Sequence, residues 1–173
     1  MTWIAPSVER LDPPNVADER TALEGWLQFH RATLLTKCAG LDADQLKQAS
    51  VPPSILTLLG LVRHMTEVER SWFRRRFSME QVDPVYYSET QPDGDFENVA
   101  DADAERDYAA YLAECQAADA VVAGRGLNES FVHPRSKADM DLRWIYLHMI
   151  EEYARHNGHA DLIRERIDGV VGD

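Results

Sequence analysis

Cysteine is scarce in this chain: 173 residues hold two, Cys38 and Cys115, far apart and outside any CxxC pattern. That argues against a disulfide scaffold and a thiolate zinc site, and leaves both as small core residues. Long apolar runs are missing as well. None approaches the ~20 residues of a membrane span, and the N-terminus offers only Trp3 and Ile4 as an apolar touch, with no basic start. Positive charge is in deficit. Eighteen Lys and Arg stand against thirty Asp and Glu, a formal net charge of −12, which argues against DNA, RNA and anionic membranes as partners. A cytoplasmic protein is the expectation. There is no glycine-rich phosphate loop, no GxSxG elbow and no HExxH, so nucleotide binding and serine hydrolysis are disfavoured. Strand alternation, internal repeats and low-complexity segments are also missing.

What is present is helical periodicity. Residues 1–15, with Pro6, Pro13 and Pro14, read as an extended leader strapped over the surface. Asp18 is a candidate N-cap for a first helix with the stripe Leu23, Leu27, His30, Leu34 and Cys38, ending at Gly40. Pro52-Pro53-Ser54 reads as the opening of a second helix that runs to about Phe77 on Leu58, Leu61, Met65, Val68 and Trp72. Its C-terminal run Arg74-Arg75-Arg76 suits the helix dipole and needs no phosphate to explain it. Residues 79–100, with six acidic residues, Pro84, Pro92 and Gly94, follow neither period and read as a long crossover, with Tyr86 and Tyr87 expected to pin it. A third helix starts near Asp103 and stops at Gly124/Gly126. Residues 127–141 read as a loop in which His133, before Pro134, is expected at the surface. A fourth helix, centred on Trp144 to Glu165, closes the chain. The expected architecture is all-α: one domain over 1–173, a four-helix bundle with one long crossover between helices two and three.

The fourth helix carries the chemistry. Leu142, Ile145, Met149, Ala160, Ile163 and Ile167 fall on one stripe at about 100° per residue, with Glu152 and His156 in its middle and Glu151, Arg155, Asp161, Arg164 and Glu165 on the flanks and back. A carboxylate on an apolar face is costly unless a cation or donor meets it. Glu152 and His156, four residues apart, are neighbours on the helix surface and could present two metal ligands; an arginine partner for Glu152 and a backbone-bonded core histidine would explain the same pattern. His148 and His159 lie off the stripe centre, as rim residues or supports to the ligands. His30 reads as a core histidine or a support. His64 lies at the edge of the helix-two stripe, where periodicity makes it a boundary residue.

The passages DERTALEGWLQFHRATLL, LLGLVRHMTEVERSWF and LRWIYLHMIEEYARHNGHADLIRE resemble the DinB-like superfamily of bacterial four-helix metalloproteins over most of the chain. Members carry one histidine in helix two and two ligands four residues apart in helix four. The resemblance implies a metal held by His64, Glu152 and His156; glutamate in place of the commoner first histidine is similar to the branch that includes mycothiol-dependent maleylpyruvate isomerase. Two nitrogens and one carboxylate suit zinc, nickel or iron without separating them, and the resemblance to that branch implies zinc first. Three protein ligands leave a position open for water or a low-molecular-weight thiol of the mycothiol type, which would lose its proton there and attack a small electrophilic substrate. The expectation is a metal-dependent thiol S-transferase or isomerase. His30 and His148 are the candidate bases or supports, and a homodimer is compatible with the sequence. A non-catalytic metal-binding stress-response or sensor module is the alternative, and a metal-free helical interaction protein a third reading.

Overall fold

The protein, described over residues 3–172 in a computed structural model, is mostly helical. Among the described residues there are four long helices, two single-turn helices and one two-stranded ribbon. The first long helix, α1 (Glu19–Cys38), is capped as its sequence suggests: the Asp18 carboxylate accepts the Thr21 N–H at 3.1 Å. Gly40 then takes a positive φ of 79° just past the helix end. Ahead of α1 the leader is tied down by its backbone. Ala5 N–H donates to Leu41 O and Gly40 N–H to Ala5 O, both at 2.9 Å, and Trp3 meets Tyr108 edge-on at 5.7 Å. Residues 1 and 2 of that leader, and residue 173, lie outside the described residues.

The second long helix starts later than its prolines suggest. After the short α2 (Ala43–Leu46), residues 51–54 form a turn closed by Ser54 N–H on Val51 O, and α3 begins at Leu58 because the Thr57 hydroxyl caps Gly60 N–H at 2.9 Å. A hydroxyl that satisfies an orphan N–H wins over a proline that only tolerates its loss. From α3 (Leu58–Glu69) the chain continues through a wider π-type stretch, Arg70–Phe77, ending with Ser78 N–H on Phe73 O. The segment after it contains α4 (Gly94–Glu97), and α5 (Ala104–Val122) follows under an Asp103 cap.

The stretch read as a plain loop holds a ribbon. Strands β1 (Ser130–Val132) and β2 (Asp139–Asp141) pair antiparallel with Phe131 opposite Met140. Three residues per strand are too few to show an alternation in sequence. His133 closes the ribbon through its N–H on Ala138 O, and its ring is buried, not at the surface, because Nδ1 accepts from Ser136 N–H at 3.1 Å and the ring packs 5.7 Å from Trp72. The final helix, α6 (Leu142–Asp168), is capped by Asp141 and ends on Gly169 at φ 81°.

Helix α1 lies along α6, α3 lies against α5, and α3 also touches α6. Their shared core includes Leu34, Leu61, Met65, Leu142 and Met149, while Cys38 and Cys115 are buried free thiols. The buried face of α6 is rotated from the stripe expected. Tyr146, Tyr153, Asn157 and Arg164 lie inside it, and Glu152 sits at its edge with 18 % of its side chain exposed. Arg164 is buried because its Nη1 donates to the Lys37 and Ala39 carbonyls, at 2.9 and 2.8 Å, which α1 leaves unsatisfied at its C-terminus.

One charged group lies at the centre. Glu69 on α3 is fully buried; Arg31 of α1 donates Nε and Nη2 to its two oxygens, each at 2.7 Å. Tyr153 of α6 donates to the same carboxylate at 2.7 Å, and Tyr111 of α5 lies 2.9 Å from the Tyr153 hydroxyl. Arg31 spends its remaining donor on Asp119. Removing one side of such a pair leaves the other charge uncompensated in the interior, which costs about 3–5 kcal/mol. Arg31→Met should therefore lower the free energy of urea unfolding by that order, through a lower midpoint at an unchanged m-value. A shift below about 1 kcal/mol would show that Glu69 finds other compensation.

Candidate functional site

His64 owes its position to a clamp on its own helix. Arg63 immediately before it and Glu67 one turn after it on α3 both grip the backbone of the 79–100 segment. Arg63 Nη2 donates to Gly94 O at 3.2 Å, its Nη1 donates to Asn98 O, and the guanidinium lies 4.5 Å over the Tyr86 ring. Glu67 accepts the N–H groups of Val85 and Tyr86 at 2.6 and 2.5 Å; burial raises the Glu67 pKa, and these N–H groups oppose that rise. Gly94 must be glycine here, since a Cβ would collide with the Tyr86 carbonyl. Tyr87 adds an anchor by accepting from Arg75 Nη1 at 2.8 Å.

This clamp lays α4 against α3 and brings Asp95 to the histidine. His64 Nδ1 is 2.7 Å from Asp95 Oδ2, and Phe96 stacks on the ring at 4.7 Å. A carboxylate there places the hydrogen on Nδ1 and turns Nε2, with its lone pair, away from Asp95. The His64 ring lies 4.8 Å from that of His156 on α6. His156 Nε2 is in turn 3.6 Å from Glu152 Oε2.

The structure thus brings His64, Glu152 and His156 together: one donor atom from each lies within 4.8 Å of the others. Donors about 2.1 Å from a common tetrahedral centre would be ~3.4 Å apart, so the Glu152–His156 spacing already suits an ion and His64 needs only a small closure. Burial, then the neighbouring His64 and His159, push the His156 pKa down to about 4. Its ring is therefore neutral at pH 7, with a free lone pair, as a ligand must be. His159 Nδ1, at 3.4 Å, faces His156 Nδ1 and can accept its hydrogen.

The other oxygen of Glu152 has its own neighbour. His148 Nε2 is 3.7 Å from Glu152 Oε1, and the His148 ring stacks on Trp144 and meets Trp72 edge-on at 4.5 Å. His148, Glu151 and Glu152 also converge, but Glu151 is exposed and bonded to Arg155. His30 lies apart from this cluster, half-buried between Trp26 and Phe29, and Asn157 Nδ2 donates to its carbonyl at 3.1 Å. Burial lowers its pKa.

Asp95 is the residue that sequence reasoning misses. It is one of six acidic residues in a segment without periodicity, and nothing in its spacing separates it from Asp93 or Glu97. A pocket of about 500 Å³ opens beside it, lined by His64, Trp72, Phe96 and, further along, Arg76, Tyr87 and Arg135.

A protein family described as mycothiol S-transferase matches residues 22–169 of this chain. Neither a curated protein nor a solved structure gave a match.

Two outcomes follow from the geometry. His64→Ala and His156→Ala should each lose most bound divalent metal in elemental analysis, Asp95→Asn should weaken it roughly 10–100-fold, and His133→Ala should keep it; full metal retention by His64→Ala would remove helix α3 from the site. Without metal, stability should also depend on His156. Its native pKa of about 4 lies below the ordinary 6.5, so the unfolded chain binds more protons in between, and stability should be complete above about pH 6.5 and fall as the pH drops towards 4. The urea midpoint of metal-free protein should show this fall, and His156→Gln should flatten it.

Proposed function

The chain belongs to the mycothiol S-transferase family of DinB-like proteins, and from that premise we propose that it binds a divalent metal through His64, Glu152 and His156 and transfers a small thiol of the mycothiol type to an electrophile. The convergence of those three donors, of which His64 also lines the 500 Å³ pocket, carries the reading. In this reading the four long helices α1, α3, α5 and α6 form one four-helix bundle and a single domain, and residues 79–100 are the crossover between its second and third helices. Zinc is the expected ion, with nickel and iron also matching two nitrogens and a carboxylate.

A divalent ion in an open three-ligand site supplies Lewis acidity, which lets a thiol give up its proton near neutral pH. The protein's own residues do the rest. Asp95 holds the Nδ1 hydrogen of His64 and aims Nε2 at the cluster. His159 does the same for His156 from the outer side. Glu152 contributes the negative charge, and His148, beside its second oxygen, restrains the carboxylate's rotation. Phe96 and Trp72 give the pocket apolar surface on which water is poorly held and a sulfur nucleophile is less hydrated. His148 is also the nearest side chain suited to take up a proton, since burial lowers its pKa from the ordinary histidine value and leaves it neutral at pH 7.

Cobalt substitution tests this directly. A thiol such as mycothiol added to the cobalt form should produce a thiolate-to-cobalt charge-transfer band and release a proton to the buffer, and Glu152→Gln should weaken metal retention. A cobalt spectrum that is already four-coordinate and indifferent to thiols would overturn the transferase reading and favour a sensing or storage module.

A further inference from the structure

The pocket beside His64 does not end at the ligand cluster. Val68, Ser71, Trp72, Arg75 and Arg76 succeed His64 turn by turn along α3 and its π-type extension, and the wall continues to Arg135 in the β1–β2 turn. There a side recess of about 150 Å³ is lined by Arg75, Arg76, Arg135, Tyr87, Ser71 and Pro134. Three guanidiniums line it and no carboxylate does.

That is unusual in a chain of net charge −12. Neighbouring arginines find acidic partners: Arg70 and Arg74 share Glu114, and Arg74 also takes Glu80. Among the described residues Arg75, Arg76 and Arg135 meet none. Arg75 Nη1 donates to the Tyr87 hydroxyl at 2.8 Å, and Arg76 Nη1 donates to Ser71 Oγ at 2.5 Å while its guanidinium lies 4.3 Å over the Trp72 ring. Burial, and then the positive charges of Arg135 and Arg75, push the Arg76 pKa below the ordinary arginine value. Like charges gathered in a partly buried recess repel one another unless an anion joins them, and planar guanidiniums beside hydroxyl donors suit an oxyanion. The acidic residues on the main pocket do not supply that anion. Glu67 is committed to backbone N–H groups, Asp95 to His64, and Glu89 and Asp93 are exposed on the 79–100 segment.

We propose that the Arg75–Arg76–Arg135 recess binds an oxyanion group, carboxylate, phosphonate or phosphate, on the electrophilic substrate. The substrate class is then an elongated anion. Arg76 folds back over Trp72, eight residues from His64 along α3 and its π-type extension, so on the order of 10 Å separates the anionic end from the reactive end. The assignment of that reactive end rests on the function proposed above, whereas the recess itself can be examined without metal or thiol.

Metal-free protein is titrated calorimetrically with inorganic phosphate and with succinate at constant ionic strength, with chloride as the control. Saturable binding of either anion is expected, weakened by roughly tenfold or more in Arg76→Gln and in Arg135→Gln, the loss expected for a charge-assisted contact. Arg135 is exposed, so its replacement leaves the core untouched. His64→Ala, which disables the ligand cluster, should bind the anions like the parent protein. Absence of saturation by both anions, or binding unchanged in the Arg76→Gln/Arg135→Gln double variant, would overturn the proposal. A failure of thiol transfer with anion binding intact would instead count only against the transferase reading.

Discussion

Everything in this fold is arranged around a carboxylate that has no access to water. Glu69 lies at the meeting point of the four long helices, and each sends it something: Arg31 from α1, its own backbone position on α3, Tyr111 by way of a hydroxyl from α5, and Tyr153 from α6. An ion buried this deeply is tolerable only when every oxygen is met with good geometry. That requirement restricts the register of the helices more sharply than apolar packing does, because leucines can slide by a fraction of a turn at modest cost and a bidentate guanidinium cannot. It also raises the pKa of both tyrosines well above the ordinary phenol value by burial, so they act only as neutral donors.

The register of α6 has a direct consequence for chemistry. Tyr153 points inward to Glu69, so its chain neighbour Glu152 is turned to the edge of the buried face, where it meets His156 and stays partly exposed. A carboxylate at that edge can be neutralised by an ion and still be reached from solvent. Placed at the stripe centre, as helical-wheel arithmetic suggested, it would have needed an arginine and would have had no route to solvent.

Much of this was legible in the sequence. Asp18, Asp103 and Gly40 announce helix ends through capping chemistry that depends on one residue and its near neighbours, and the long apolar stripes give the four helices. What escaped depends on contacts between distant segments. Thr57 outcompeting Pro52-Pro53 is a matter of one hydroxyl; the burial of His133 and Arg164 depends on Trp72 and on carbonyls at the end of α1. His64 was readable as a ligand only through family resemblance, since its periodicity marks it as a boundary residue. Asp95 was not readable at all, because an aperiodic acidic segment becomes a histidine partner only after Arg63 and Glu67 have folded it back.

Those two clamps hold the segment in a particular way. Arg63 takes the carbonyls of residues 94 and 98, and Glu67 takes the N–H groups of residues 85 and 86. All four contacts are to main chain, so the path of the strap is specified by its backbone; between the anchors Tyr87, Ser88, Thr90 and Gln91 add side-chain hydrogen bonds, while Glu89 and Asp93 stand exposed on the pocket's rim. The three candidate ligands sit on long helices and the opposite wall of the pocket on this strap, which separates the helix-borne part of the site from the loop-borne part. Glu89 and Asp93 can therefore exchange bulk, polarity or charge without disturbing the helices that carry His64, Glu152 and His156. A pocket divided in this way can alter the shape and charge of its mouth by substitution at a few positions of one short stretch.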